Sequence, residues 1–208
     1  DGEVALKLDI SKAYDRVSWQ YLWHRMEVMR FDAKWISWVK LCVTTVQYMV
    51  FINGNYVGPI NPSRGLRQGD PLSPYLFLLC VEGLSHSLTS AASNREINGC
   101  RISSTAPAIT HLLFADDSLL FFKATVEESH AVKELLNSYA LMSGQAVNYQ
   151  KSGIFFSSNI RRDKQQSIQD ILEVHTDLRN DKYLGLPSLV GRSRKAVFSF
   201  VKERAVSY

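Results

Sequence analysis

The sequence predicts an α+β fold in which helices pack on one face of a mainly antiparallel sheet. Apolar runs of strand length alternate unevenly with longer segments that have helical spacing. Two such runs within residues 111–122 flank an adjacent pair of aspartates, Asp116 and Asp117, and this pattern predicts a β-hairpin with the aspartates at or beside its turn. A hairpin excludes an all-parallel sheet, and an apolar fraction of 46% in 208 residues is sufficient for a core.

A strand and two helices come first along the chain. Residues 4–10 predict a short buried strand in which Asp9 marks the end. Ser18 precedes an apolar helical pattern and is a suitable N-cap for the first helix. The second helix carries apolar residues at helical spacing, and we expect its Trp35 to belong to the core.

A hairpin and a loop precede the longest predicted helix. Residues 47–52 predict a strand, and Asn53-Gly54 predicts a tight turn into the next strand. Residues 59–69 have no periodicity and predict a loop. A helix then starts near Asp70-Pro71 or Ser73-Pro74, because each pair offers a capping side chain followed by proline at the first helical position. This helix is apolar on nearly all sides, so we expect it to be buried.

Helices and one strand make up the remainder. Thr125 and Glu128 match a capping box at the start of a helix, and Gly144 is a suitable end for it. Residues 151–156 predict another strand, and residues 161–175 predict a polar helix. We expect the chain to close with a basic helix.

Basic residues are concentrated near the C-terminus. Residues 1–160 carry 14 Lys/Arg and 14 Asp/Glu, whereas residues 161–208 carry 10 and 6. This placement indicates a contact with a polyanion or, equally, a solvated helix face. The longest wholly apolar run, residues 76–81, is too short to cross a bilayer. The chain begins without Met and shows no signal peptide, so we expect an intracellular segment of a longer protein.

The three cysteines, Cys42, Cys80 and Cys100, match neither a zinc spacing nor a disulfide framework. Their odd number and their apolar or mixed surroundings indicate reduced thiols in the core of an intracellular protein. The candidate chemistry of this chain therefore depends on its carboxylates.

The paired aspartates point to a metal site. Two neighbouring carboxylates repel each other at the tip of a buried hairpin, and a divalent cation removes that repulsion. Because side chains alternate along a strand, only one of Asp116 and Asp117 can point squarely at a shared metal. Asp9 supplies the further carboxylate if the two strands are neighbours. Oxygen ligands suit Mg²⁺, and two such ions about 3.5–4 Å apart clamp the oxygens of a phosphoryl displacement. Ordinary turn and strand-end roles are the alternative.

Four segments resemble successive motifs of reverse transcriptases, in order and at suitable distances. They are residues 8–17 (LDISKAYDRV), 65–74 (GLRQGDPLSP), 114–117 (FADD) and 148–152 (NYQKS). The FADD form resembles the LINE-type (non-LTR) retrotransposon polymerases, and YLGLP at residues 183–187 with the GRSRK that follows resembles their plant members.

This resemblance implies a polymerase palm with part of the fingers over residues 1–160. It implies a palm-to-thumb connection and the start of the thumb over residues 161–208. Most of the fingers, most of the thumb and any endonuclease would lie outside this chain. The implied activity is RNA-directed DNA polymerisation, in which deoxynucleoside triphosphates extend the 3′-OH of a DNA primer on an RNA template with two Mg²⁺ ions. It implies no membrane contact, and it implies nuclear localisation because the family copies into chromosomal DNA.

The resemblance also assigns the reaction chemistry to particular residues. Asp9 and Asp116 match the residues that hold the metals, with Asp117 as a lesser contributor. Lys151 matches the lysine near the triphosphate, a candidate general acid for pyrophosphate, although a lone lysine before a strand is more often simply exposed. Tyr14 matches the aromatic residue that stacks under the incoming sugar and excludes a ribose 2′-OH, and without the motif a core aromatic would be favoured.

Loop and tail residues complete the implied site. Gln68, Gly69 and Pro71 match the loop that lines the nucleotide and template pocket, where a glycine lets backbone N–H groups approach the substrate and an amide can bond to it. Arg64 and Arg67 would contact phosphate or template, with solvated loop arginines as the equal alternative. The basic tail would follow the phosphates of the duplex through Arg192, Arg194 and Lys195.

Three alternatives accompany this interpretation. The chain could be a catalytically silent transposon-derived fragment that at most binds nucleic acid, an RNA-directed RNA polymerase or a group II intron maturase. Tyr14 disfavours the RNA polymerase because a bulky aromatic at that position rejects ribonucleotides, and Phe114-Ala115 disfavours the maturase. We expect the isolated 208 residues to be inactive or nearly so.

Overall fold

The structure is a computed structural model that describes residues 2–103, 105–114 and 117–177, together with the backbone of residues 182–183 and 186–187. Its helices are α1 (Trp19–Val28), α2 (Ala33–Thr44), α3 (Ser73–Ser93), α4 (Val126–Ser143) and α5 (Arg162–Leu172). Its strands are β1 (Glu3–Leu8), β2 (Tyr48–Ile52), β3 (Asn55–Ile60), β4 (His111–Phe114), β5 (Asp117–Lys123), β6 (Gly153–Phe156), β7 (Thr176–Asp177), β8 (Lys182–Tyr183) and β9 (Leu186–Pro187).

Five of the described strands form one sheet, in the order β4-β5-β1-β6-β7. Neighbouring strands are antiparallel except β6 and β7, which are parallel. The first strand, β1, is therefore central, with the hairpin strand β5 on one side and β6 on the other. This arrangement confirms the predicted α+β class with a mainly antiparallel sheet.

Helices cover one face of this sheet. Val4, Leu6 and Leu8 of β1 are buried and alternate with partly exposed residues, and β5 alternates in the same way through Leu120 and Phe122. Helices α1, α3 and α4 contact one another, and in addition α3 contacts β4 and α4 contacts β5. The buried residues of these elements form one hydrophobic cluster. The prediction of helices on one face is confirmed, and the other face of β1 and β5 is partly open.

Side-chain caps set two helix ends as the sequence predicts. The Ser18 hydroxyl accepts from the Tyr21 backbone N–H at 3.3 Å at the start of α1. Thr125 accepts from the Glu128 N–H at 3.1 Å at the start of α4, and Gly144 ends α4 with φ +76°. The Glu128 carboxylate does not close the predicted capping box. It turns instead towards the end of β5 and the segment that follows α3.

Three predictions about burial are wrong in part. Trp35 of α2 is 46% exposed rather than in the core, because the face of α2 that packs inward carries Ile36, Val39 and the partly buried Val43. The longest helix, α3, is buried on most sides but exposes Tyr75 and Leu78.

The third prediction that is wrong in part concerns the burial of the cysteines. Cys80 is buried as expected, and burial raises the pKa of its thiol to about 12. Cys100 is partly buried, whereas Cys42 is exposed on the outer side of α2, so the predicted core position is wrong for Cys42.

The start of α3 also differs from the predicted capping. Helix α3 begins at Ser73 with Leu72 as its N-cap residue, and no side chain caps it. Asp70 instead accepts from the Leu72 N–H through Oδ1 at 2.8 Å, one step before the helix. Proline lies in the first turn of α3, as predicted.

The predicted hairpin of β2 and β3 is present and forms a separate two-stranded sheet. Asn53 and Gly54 both have positive φ, 48° and 85°, as this tight turn requires. All residues of the hairpin are exposed, including Phe51 and Tyr56, whose rings contact each other. None of the described helices is sufficiently long and apolar to cross a membrane.

Candidate active site

Asp9 follows β1 directly, and its backbone is held by the segment that precedes β6. Its N–H donates to the Ser152 hydroxyl at 3.1 Å, and its carbonyl accepts from the Asn148 N–H at 2.8 Å. One residue further, Ile10 forms a β-bridge with Val147. Both backbone groups of Asp9 are therefore occupied, which fixes where its carboxylate leaves the chain.

The sheet register brings Asp117 to the same place. Asp117 begins β5 and pairs with Phe114 across the hairpin, and Ser118 pairs with Leu8 of β1. Continued by one residue, this register sets Asp9 opposite Asp117. Directly opposed residues of an antiparallel pair lie on the same face of the sheet. Since Leu8 and Ser118 are buried beneath the helices, both aspartates belong to the open face.

Asp116, which the sequence predicts as a principal metal ligand, lies outside the described residues, so its role stays a prediction. Asp9 and Asp117 are partly exposed, and within the described ranges neither forms an ion pair. Two such carboxylates at one sheet edge fit a hard cation such as Mg²⁺, which completes its shell with waters and substrate phosphates. No cluster of three or more His, Cys, Asp or Glu side chains forms among the residues that the structure describes.

Tyr14 lies in the turn between β1 and α1 and is half-buried. Its ring stacks on Phe77 of α3, with ring centroids 4.6 Å apart and planes 14° from parallel. Phe77 is fully buried, so it forms a fixed support for one face of Tyr14. The sequence motif identifies Tyr14 but gives no indication of Phe77.

The loop before α3 is bonded to the same turn. The Gly65 N–H donates to the Val17 carbonyl at 2.8 Å, and the Leu66 N–H donates to the Tyr14 carbonyl at 2.9 Å. The Trp19 indole N–H donates to the Gly65 carbonyl at 2.7 Å. These three bonds join the segment that carries Tyr14 to the segment that carries the predicted substrate-binding residues.

Beyond Leu66 the loop is open to solvent. Arg67, Gln68, Gly69 and Pro71 are all exposed, so their side chains and backbone are accessible to a ligand. Gly69 has φ +83°, and no atom lies within 4 Å of the position that a Cβ would occupy. Only its backbone conformation requires glycine there. The structure thus places the four residues on one exposed loop, and their predicted roles stay predictions.

Lys151 is exposed and lies in a turn that starts at Asn148. The Lys151 N–H donates to the Asn148 carbonyl at 3.1 Å, while the Asn148 N–H bonds to Asp9. The lysine therefore belongs to the segment that holds Asp9, and its role near the triphosphate stays a prediction.

The buried side-chain amide of Gln145 holds the turn that carries Tyr14. Gln145 is 3% exposed, and its Nε2 donates to the Ala13 carbonyl at 3.0 Å while its Oε1 accepts from the Tyr139 hydroxyl at 2.6 Å. Burial raises the pKa of Tyr139 well above its ordinary value, so the phenol remains a donor. No sequence signal marks Gln145, because its importance comes from a partner 132 residues away.

The predicted nucleic-acid contacts are described only in part. Arg64 is exposed and borders a surface cleft of about 480 Å³ that Arg16, Trp19 and Trp23 also line. The predicted nucleic-acid contacts near the C-terminus, Arg192, Arg194 and Lys195, lie outside the described residues.

Comparisons with known proteins relate this geometry to one family. The reverse transcriptase (RNA-dependent DNA polymerase) family matches residues 1–187. An uncharacterized mitochondrial protein of Arabidopsis thaliana is 43% identical over 115 residues, which cover 54% of this chain and 93% of that protein. The 149 kDa protein of transposon TX1 from Xenopus laevis is 28% identical over 76% of this chain and 12% of its own length. A Pol polyprotein of the R2 element from Popillia japonica is 26% identical over a region that covers 70% of this chain and 23% of that protein.

Solved structures show the same fold. Telomerase from Candida tropicalis, in complex with a fragment of telomeric RNA, matches with a TM-score of 0.57 at 15% identity, over 99% of this chain and 34% of that chain. Telomerase from Candida albicans, also in complex with such a fragment, matches with a TM-score of 0.55 at 16% identity, over 77% of this chain and 27% of that chain. At these identities the likeness concerns the fold.

Proposed function

This chain belongs to the reverse transcriptase (RNA-dependent DNA polymerase) family, in its LINE-type (non-LTR) branch, and we propose that it forms the palm of an enzyme that copies RNA into DNA. The observation that carries the proposal is the sheet register, which pairs Leu8 with Ser118 and, continued by one residue, would bring Asp9 opposite Asp117 on the open face. The turn that carries Tyr14 follows Asp9 directly along the chain. Since the chain spans 12% and 23% of the two transposon relatives, the activity is proposed for the full-length protein that contains it.

Two Mg²⁺ ions would be held by Asp9 and Asp116, with Asp117 in support. They would neutralise the charge that develops on the attacking and leaving oxygens of the phosphoryl transfer. The oxygen-only chemistry of these side chains and the absence of an ion pair at Asp9 and Asp117 among the described residues support this choice. The hydrogen bonds that join the Asp9 backbone to Ser152 and Asn148 support its assignment as a ligand held in a fixed position.

Selection of the deoxynucleotide is assigned to the Tyr14 turn and the neighbouring loop. Tyr14, supported by Phe77, would contact the sugar and exclude a 2′-OH. Gln68 would donate or accept a hydrogen bond at the nucleotide, and the Gly69 backbone permits close approach because no side chain covers it. Arg67 would bind phosphate through its exposed guanidinium. Lys151 would give a proton to the departing pyrophosphate.

The remaining assignments follow the same family. An RNA template, a DNA primer and deoxynucleoside triphosphates are the proposed partners, and nuclear localisation is proposed because LINE-type enzymes copy into chromosomal DNA. We also propose that residues 1–160 form the palm with part of the fingers and that residues 161–208 lead into the thumb. There Arg192, Arg194 and Lys195 would bind the phosphates of the duplex.

The test is primer extension on an RNA template by the full-length protein and its Asp116→Asn variant. The amide keeps the shape of the side chain but removes the charge that binds the cation, so extension should be abolished. Asp163→Asn, an exposed position in the first turn of α5, serves as the matched control and should extend like the wild type. Undiminished extension by Asp116→Asn would remove the metal assignment.

A catalytically silent role is the second candidate. In that case the purified 208 residues would bind RNA–DNA hybrid without extending it. The proposed function makes the same prediction for the isolated chain but not for the full-length protein. Template-dependent extension by the full-length protein therefore separates the two.

A further inference from the structure

Trp19, the first residue of α1, reaches across to the loop before α3. Its indole N–H donates to the Gly65 carbonyl at 2.7 Å, and Trp19 is half-buried. The N–H of the same glycine donates to the Val17 carbonyl at 2.8 Å. Both backbone groups of Gly65 are thus bonded to residues at the start of α1, and one of these bonds comes from a side chain that can be changed without altering the backbone.

The loop lies unusually close to the Tyr14 turn at Gly65. Gly65 has φ +87°, and a Cβ there would lie 2.6 Å from the Asp15 carbonyl oxygen and 3.0 Å from its carbonyl carbon. Only glycine permits both the backbone conformation and this approach. The next residue, Leu66, is buried and bonds to the Tyr14 carbonyl.

Gln68 follows this anchor by three residues, on the part of the loop that is open to solvent. Its position relative to Tyr14 therefore depends on the bonds at Gly65 and Leu66, since Arg67, Gln68 and Gly69 are all exposed. A displacement of Gln68 relative to Tyr14 would weaken the contacts that both residues are proposed to make with the nucleotide, because a hydrogen bond depends steeply on distance and angle.

We propose that Trp19 is a positioning residue for nucleotide selection. Its indole N–H holds Gly65, and through Gly65 it sets the separation between Tyr14 on the turn and Gln68 on the loop. Trp19 itself does not contact the nucleotide. The inference rests on the proposed function, since it concerns how the two selecting segments are held together.

The experiment uses the full-length protein with Trp19→Phe, which keeps an aromatic ring and removes the donor. Trp38→Phe is the matched control, because Trp38 lies on α2, is 50% exposed and contacts Trp35 and Lys34 rather than the loop. We measure the KM for a deoxynucleotide, the preference for deoxy- over ribonucleotide, kcat and the Kd for template–primer.

Trp19→Phe should raise the KM about 3- to 10-fold, as the loss of one net hydrogen bond implies. It should lower the sugar preference by a similar factor and leave kcat and the Kd for template–primer unchanged. Trp38→Phe should match the wild type in all four quantities. A KM and a sugar preference at wild-type values in Trp19→Phe would overturn the inference, as would equal effects of the two variants.

Gly65→Ala provides a second and independent variant. Its Cβ forces the loop away from Asp15, so it should raise the KM as well, and the double variant with Trp19→Phe should be no worse than Gly65→Ala alone. Additive effects would show that Trp19 does not act through Gly65 and would overturn the proposal.

Limited trypsin digestion gives a readout that requires no activity. Arg64 and Arg67 lie on either side of Gly65 and are exposed, so cleavage there should be faster in Trp19→Phe than in Trp38→Phe or the wild type. Equal cleavage in all three proteins would contradict the inference. A wild-type protein that extends no primer would contradict the proposed function instead, while the digestion would still show whether Trp19 holds the loop.

Discussion

Replacement of Phe77 by leucine should weaken sugar discrimination without removing activity. Phe77 supports the Tyr14 ring at a centroid distance of 4.6 Å and is itself 1% exposed, so no other group can take over that face without moving the core. Leucine keeps most of the apolar volume, but it lacks the flat face that holds Tyr14 parallel. The change therefore acts on the orientation of Tyr14.

The size of the effect follows from the stacking energy. An aromatic pair contributes about 0.5–1.5 kcal/mol beyond the area that it buries. If all of this holds Tyr14 in its selecting orientation, its loss corresponds to roughly a 2- to 13-fold decrease in the preference for deoxynucleotides. Complete removal of the ring in Tyr14→Ala should give a larger decrease and sets the upper bound of the scale.

The assay is single-nucleotide incorporation by the full-length protein, with kcat/KM measured separately for a deoxynucleotide and the matching ribonucleotide. Leu84→Met, also buried on α3, is the control for a small disturbance of the core, and it should leave the ratio unchanged. A wild-type ratio in Phe77→Leu alongside a lowered ratio in Tyr14→Ala would refute the idea that the stack orients Tyr14. An unchanged ratio in Tyr14→Ala would refute the selecting role of Tyr14 itself.

Two further predictions concern stability, measured by urea unfolding followed by tryptophan fluorescence. Glu128→Ala should lower the free energy of unfolding by about 3–5 kcal/mol, because its buried carboxylate accepts hydrogen bonds at 2.6, 2.8 and 3.1 Å whose donors would lose their partner. The exposed Glu127→Ala should change it by less than about 0.5 kcal/mol, and equal effects would contradict this account. Burial lowers the pKa of His111 from 6.5, so the folded state binds a proton less tightly than the unfolded chain. The free energy of unfolding should therefore decrease as the pH falls below about 6.5, and a pH dependence that His111→Gln leaves unchanged would argue against it.

Local signals explain the elements that the sequence predicts correctly. Ser18 and Gly144 set helix ends, and Asn53-Gly54 sets the turn of the β2–β3 hairpin, because each acts on backbone groups within a few residues. The apolar run of residues 4–10 likewise predicts the central strand β1, of which the structure buries alternate residues.

Contacts between distant segments account for what the sequence does not predict. The apolar spacing of α2 is helical, but the spacing alone does not tell whether another element covers Trp35. At the site, alternation and a shared sheet edge predict that Asp9 meets the hairpin. The bond from Trp19 to Gly65 joins residues 46 positions apart, and the bond from Gln145 to Ala13 joins residues 132 positions apart. The local sequence around these residues does not predict either bond.

Asp9 depends on two segments that come much later in the chain, the hairpin strand β5 and the segment that contains Ser152. Its hairpin partner lies more than 100 residues later in the chain, and Ser152 lies 143 residues later. During synthesis β1 therefore leaves the ribosome long before either neighbouring strand exists, as an unpaired apolar strand that is open to wrong pairing. Loop closure over such separations also makes assembly slow. In a protein that ends just before residue 152, Asp9, Tyr14 and Asp117 would all be present. Strand β6, which pairs with β1, and the Ser152 hydroxyl that bonds to Asp9 would both be missing.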